Sequence, residues 1–229
     1  MLNLDFSTVG PSLGYLFGEG MLTSLAITIV AGIFGMLLGG VLAVMRLSRH
    51  RWLSWPAAFY INSFRSLPLI LIIFGFYFLM PYVGAWILRS PYPVNIGAFR
   101  AALISFTLFE AAYFAEIIRS GIQSIPKGQV RAGQAIGLRP LTILIHIVLP
   151  QAVRNMIPPL LLRTLILFQD TSLVYVVSLT DFLGAATKLG QRDGRLTEMY
   201  LLVAVTYFVI CFVVSKLVNR LDQRLKRTQ

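Results

Sequence analysis

Met21 to Met45 is a run of 25 residues without a charged side chain, and Ser66 to Leu88 is a second run of 23. A helix rises 1.5 Å per residue, so about 20 apolar residues cross a hydrocarbon core of ~30 Å. Lipid offers the backbone no hydrogen-bond partners, which leaves helices and closed barrels as the only spanning structures. Unbroken apolar runs without period-2 alternation select the helix. The mean hydropathy of +0.76 is well above that of a soluble domain. The fold expected is therefore an all-α integral membrane protein forming a single domain over residues 1–229.

The formal charge of +11 raises the question of nucleic acid. Its distribution excludes that partner, because the bases flank apolar runs and form no aromatic-lined groove. Arg46, Arg49 and Arg51 follow the first run, Arg119, Lys127, Arg131 and Arg139 follow the third, and Lys216, Arg220, Arg224, Lys226 and Arg227 close the chain. Against these 12 bases stands one acid, Asp222. Basic residues collect on cytoplasmic segments. Five transmembrane helices, at about 21–45, 57–80, 97–118, 150–169 and 199–215, satisfy the pattern with the N-terminus periplasmic and the C-terminus cytoplasmic. Met1 to Gly20 lacks a basic leader region and carries Asp5 and Glu19, so the first span is expected to be retained.

Within this frame the spans differ. Gly35 and Gly39 in the first have the spacing that lets helices approach closely in lipid. Pro68 predicts a kink in the second, near its cytoplasmic end. The fourth carries Arg154, Pro158, Pro159 and Arg163 and reads as a broken helix. Residues 180–198 are polar, external, and long enough for a short re-entrant or interfacial helix. The loop 119–149 holds a segment framed by Pro126 and Pro140 whose ~18 Å as a helix cannot span lipid. In it Ala132, Ala135 and Ile136 share one face, and Gly133 and Gly137 make a neighbouring strip of bare backbone. Cys211 lies in an apolar run as a small hydrophobe, and His50 and His146 have no metal-ligand partner at a usable spacing, so no metal site is expected.

From Arg131 the chain reads RAGQAIG, then nine residues, then Ile147-Val148-Leu149-Pro150. This resembles the EAA loop of bacterial ABC importer permeases, with Arg131 and Gly133 in place of the motif's glutamate and second alanine. The literal Glu110-Ala111-Ala112 lies mid-span with the wrong spacing. Phe64-Arg65-Ser66-Leu67-Pro68-Leu69, Ala112 to Arg119 and Gly121 to Gln129 resemble segments of the polar amino-acid uptake permeases. Phe109 to Tyr113, Phe168 to Tyr175 and Gln191 to Gly194 are most similar to glutamate/aspartate import permeases. The resemblance implies a type I importer fold in a bacterial inner membrane and a subunit that is not itself an enzyme. It also implies a second, non-identical permease subunit, a cytoplasmic ABC ATPase dimer, and a periplasmic amino-acid-binding protein. The segment 119–149 becomes the coupling loop, with Arg131, Ala132, Gly133, Ala135, Ile136 and Gly137 toward the ATPase. No GxxxxGK[ST] loop is present, so no cofactor is expected and ATP belongs to a separate subunit. Another polar amino acid (glutamine, histidine or arginine) and an ATP-independent carrier are the alternatives.

Glu110 sits near the middle of its span, where a carboxylate must find a partner or water. Arg163 of the fourth span is the natural partner, and Tyr113 lies one turn from Glu110 on the same face. Two readings stand: a structural ion pair, or a substrate carboxylate met by Arg163 while Glu110 reaches its ammonium group. Gln169, Asp170, Thr171 and Ser172 serve either as turn chemistry or as part of the same pathway. Arg65 reads as an interface anchor or an inner gate, and Glu116 with Arg119 as a helix-surface pair or a gate. A hydrolase is disfavoured, because Glu110 and Glu116 do not converge on one helix.

Overall fold

A computed structural model describes residues 5–227, which are helical and contain no strand. The chain runs α1 (Val9–Leu47), α2 (Arg51–Arg65), α3 (Leu69–Leu88), α4 (Ala98–Gln123), α5 (Lys127–Ala135), α6 (Pro140–Val177), α7 (Phe182–Asp193) and α8 (Leu196–Arg227). Five of these, α1, α3, α4, α6 and α8, are long and apolar enough to cross a membrane. Several boundaries differ from expectation. The helix of the first span already starts at Val9 and carries a π-helical turn at Leu16–Met21. The second span does not run as one kinked helix over 57–80. Pro68 cannot donate, Ser66 bonds back to Asn62 and Ser63, and the chain breaks into α2 and an apolar α3 that reaches Leu88. Conversely, the fourth span is not broken at Pro158 and Pro159; Leu149–Asp170 passes through both as one helix, followed by a 3-10 segment at Thr171–Val177.

At the centre lies α4, which packs against α1, α2, α3 and α6. Its residues Ala101, Ala102, Ala111, Ala112 and Ala115 are buried, so neighbouring backbones come close. Along α1 the matching small residues are Gly35 and Gly39. A Cβ on Gly35 would sit 3.1 Å from Glu110 Cβ, and one on Gly39 would sit 2.8 Å from Phe114 Cβ and 2.9 Å from the Ala111 carbonyl. Gly40, one residue on, faces open space. One apolar cluster joins Ile27, Ile73, Phe106, Phe109 and Leu167, and a second joins Leu16, Phe168, Phe182 and Met199.

The polar stretch before α8 is ordered as α7, whose buried face includes Phe182, Ala185, Ala186 and Leu189. Asp181 caps it by accepting the backbone N–H groups of Leu183 and Gly184 at 3.1 and 2.9 Å. Burial pushes this carboxyl up from 3.8 to about 6, against the lowering effect of those N–H bonds.

Two outcomes follow from the packing and the cap. Gly39→Ala is expected to lower detergent-state stability by about 1–3 kcal/mol through overpacking, whereas Gly40→Ala is neutral or stabilising, as read by thermal denaturation. Because the Asp181 pKa is raised on folding, its contribution is fully present below the unfolded value of 3.8 and is lost as pH rises toward about 6. The melting-temperature difference between wild type and Asp181→Asn should therefore shift against wild type across that window. A difference constant with pH would remove Asp181 as the titrating group.

Candidate functional site

Glu110 has no solvent exposure. Across from it on α6, Arg163 donates from Nε to Oε2 at 2.8 Å and from Nη2 to Oε1 at 2.5 Å. Two parallel charge-assisted bonds match the planar guanidinium to the carboxylate fork, which makes this the tightest geometry available to a buried pair. The Arg163 guanidinium also lies over the Tyr113 ring, 3.8 Å from its centroid, and 5.6 Å from that of Phe109. Its Nη2 is 3.9 Å from Asp170 Oδ2, one end of a carboxylate that remains partly exposed. The seven-residue spacing puts Asp170 on the Arg163 face of α6, and the two side chains close the remaining gap.

A second guanidinium joins from α2. Arg65, the last residue of that helix, stands 5.5 Å from the Tyr113 centroid. It has no carboxylate within ion-pair distance among the described residues and is exposed. The sequence offers no local signal for this meeting, because Arg65 and Tyr113 belong to different helices that meet only by packing of α2 on α4, where Tyr60 also donates to the Leu108 carbonyl at 2.8 Å.

Of the other residues considered from sequence, Glu116 and Arg119 form a two-bond pair on α4, with Arg119 Nη1 also donating to Gln123 Oε1 at 2.5 Å. Gln169 is exposed on another side of α6. Thr171 is buried and its hydroxyl donates to the Phe168 carbonyl, while Ser172 donates to that of Gln169. These two hydroxyls tighten the end of α6 and do not join the Arg163 cluster.

In α5 the expected glycine strip divides. Gly133 is inside the helix, where a Cβ would meet Ile143 at 3.0 Å. Gly137 lies beyond the helix with φ +80°, and ends it: its N–H bonds the Gln134 carbonyl, and the Leu138 N–H bonds that of Gly133. The opposite side, Arg131, Ala132 and Ala135, is exposed, as are Ile136 at 76% and Leu141 at 65%. Gln151 Nε2 holds the base of the helix through Gln129 Oε1 at 2.5 Å.

Five apolar helices, a charged cluster inside them and a short exposed helix at one end define a membrane transport permease. The chain matches the model of the "Binding-protein-dependent transport system inner membrane component" over residues 31–227, and it belongs to that family. It is thus a multi-pass inner-membrane protein. It is 45% identical to the glutamate/aspartate import permease protein GltK of Escherichia coli, across 98% of this chain and 99% of that one. It is 32% identical to the L-cystine transport system permease protein TcyB of Bacillus subtilis, across 98% and 92%. Among solved structures, an amino acid ABC transporter crystallised with histidines superposes with a TM-score of 0.87 at 28% identity, over 97% of this chain and 100% of that one. The methionine transporter MetNI gives 0.67 at 22% identity, a likeness of fold.

Breaking the central pair has a definite expected cost. Glu110→Gln leaves the Arg163 charge uncompensated and should destabilise the detergent-solubilised protein by about 3–5 kcal/mol. Adding Arg163→Met to that variant should recover most of the loss in a thermal melt. No recovery in the double variant would mean that the two residues are not coupled.

Proposed function

We propose that the chain is the permease subunit of an ATP-driven importer of acidic amino acids, glutamate and aspartate, and forms half of the translocation pathway. The observation that carries this reading is the cluster around Tyr113, where two arginines meet one buried and one partly exposed carboxylate inside an apolar bundle. A glutamate zwitterion has two carboxylates and one ammonium group; beside the closed Glu110–Arg163 pair, the cluster offers it Arg65 as a cation for a carboxylate and Asp170 as an acid for the ammonium group. The chain's likeness to GltK supports the acidic substrate.

In this reading the N-terminus lies outside and the α5 end faces the cytoplasm, where an ATPase dimer docks on the face of Ala132, Ala135 and Ile136. Arg131, which occupies the motif's glutamate position, borders that face as an exposed cation. Gly133 sets the seat of α5 on α6, and Gly137 sets its length. A second, non-identical permease subunit completes the pathway, and a periplasmic binding protein delivers the amino acid. Glu116 and Arg119 belong to the cytoplasmic half as a stabilising pair.

The test is ATP hydrolysis by the assembled complex in lipid, driven by its binding protein loaded with one amino acid at a time. Glutamate or aspartate should stimulate, and Arg65→Gln should reduce that stimulation about tenfold, the loss of one charge-assisted contact of ~1.4 kcal/mol. Stimulation by glutamine, histidine or arginine alone would replace the substrate assignment. Uptake by this chain in liposomes without an ATPase would replace the mechanism.

A further inference from the structure

The face of α2 turned away from the bundle carries large aromatic side chains that stand open. Ala57 and Ile61 are buried, in one cluster with Leu42 and Ala43 of α1 and Ala111 and Ala115 of α4. On the other side Trp52, Trp55 and Phe59 follow at steps of three and four residues, a single helical stripe. They are exposed by 92%, 71% and 64%, and the Trp55 and Phe59 rings stack with centroids 6.0 Å apart. A groove of ≈310 Å³ lies at the start of the stripe, lined by Arg51, Trp52, Trp55 and Pro56.

The depth of the stripe follows from its neighbours. Gly35 of α1 meets Glu110, and Gly39 meets Phe114, so α1 and α4 run parallel and α2 begins at the α5 end of the bundle. The charge-free run of α1 stops at Met45, and Arg46 is the first base beyond it. Ala57 packs with Leu42 and Ala43, and Trp52 is five residues nearer the end, about 7.5 Å along the helix. The two indoles are therefore level with the end of the charge-free run, at the boundary of hydrocarbon and headgroups where tryptophan collects. Phe59 lies deeper.

The charges around the groove have one sign. Arg49 and Arg51 are exposed and make no ion pair among the described residues. No acid occurs from Gly20 to Phe109. Glu116 and Asp222, in the same end of the bundle, are each bonded to a base, Arg119 and Lys226. An unpaired guanidinium binds phosphate oxygens, and an indole sets an apolar face beside an N–H donor. A headgroup with an ammonium group finds no free acid at this corner, whereas one whose only charge is its phosphate finds two cations.

We propose that this corner binds an anionic phospholipid. Arg49 and Arg51 hold its phosphate, Trp52 and Trp55 pack its glycerol and ester region, and an acyl chain runs past Phe59. A free phosphate compound matches less well, because the stripe continues from the groove along a face that borders lipid. The ATPase face proposed above belongs to a different helix, α5. The lipid site is independent of the substrate assignment and requires only that the chain spans a membrane.

The experiment titrates the assembled complex, stripped of lipid in detergent, with phosphatidylglycerol and counts bound lipid by native mass spectrometry. Wild type should hold one component of phosphatidylglycerol about tenfold more tightly than phosphatidylcholine. Arg49→Gln with Arg51→Gln should weaken that component about tenfold, and Arg49→Lys with Arg51→Lys should restore it in part. Trp52→Ser with Trp55→Ser should weaken it as well. This pair leaves the basic residues that orient the span, and it carries the test if the glutamine pair does not assemble. Trp86→Ser, at the far end of α3, should leave the component unchanged. Equal binding of phosphatidylglycerol by wild type and the tryptophan pair would overturn the site. So would phosphatidylcholine bound as tightly, or displacement of the lipid by an equal concentration of inorganic phosphate. If the tryptophan pair loses the ATPase while the lipid stays, the stripe is a protein interface and the lipid site falls.

Discussion

A carboxylate with no solvent exposure, in the middle of an apolar helix, is tenable only because Arg163 closes on it with two hydrogen bonds. Much of the architecture serves that closure. Gly35 brings the α1 backbone over Glu110 and seals it from one side, and the alanine-rich face of α4 lets its neighbours draw in. The pair ties α4 to α6 at a fixed rotation. That rotation lays the Arg163 guanidinium on Tyr113 and brings Asp170 within 3.9 Å of it. Desolvating two charges offsets much of their attraction, so the pair contributes more to placing side chains than to net stability.

The spans were legible because lipid imposes one strong rule on sequence: long runs without charge. Their ends were less so. Pro68 and the pair Pro158–Pro159 present the same local signal, a missing donor, yet the first ends a helix and the second does not. At Pro68 the preceding Ser66 and Leu67 bond back to α2, so the chain turns. At Pro158 the proline itself and the nearby Met156 are buried against neighbours, and tertiary packing holds the helical path through the gap. Sequence gives the missing hydrogen bonds; packing decides what the chain does about them.

The site shows the same division. Glu110, Tyr113, Arg163 and Asp170 were found by helical spacing and by the cost of charge in lipid, rules that act within one helix or between opposite charges. In sequence Arg65 reads as an anchor or gate, since its contact with Tyr113 depends on how α2 packs against α4. Thr171 and Ser172 look like site residues in sequence because hydroxyls beside an aspartate suit either role. Their bonds to the carbonyls three residues back show them shaping the end of α6. Gly137 was placed on a helical strip by spacing, but a positive φ takes it out of the helix and makes it the device that fixes the length of α5.

Between the two charged regions of α6 lie the prolines. Arg154 and Arg163 are nine residues apart, about 13.5 Å along a helix, and the two absent hydrogen bonds fall between them. Bending a helix where its ladder is already interrupted costs less than bending it elsewhere. The Arg163 half is pinned to α4 by Glu110, and the other half is tied to α5 through Gln151 and Gln129 and to the end of α4 through Asn155 and Ser124. The Gln151–Gln129 contact joins α5 to α6 on the near side of Pro158–Pro159, the point where a change of angle in α6 costs least. The cluster around Tyr113 lies on the far side of that interruption, fixed to α4 through one ion pair whose geometry admits little slack.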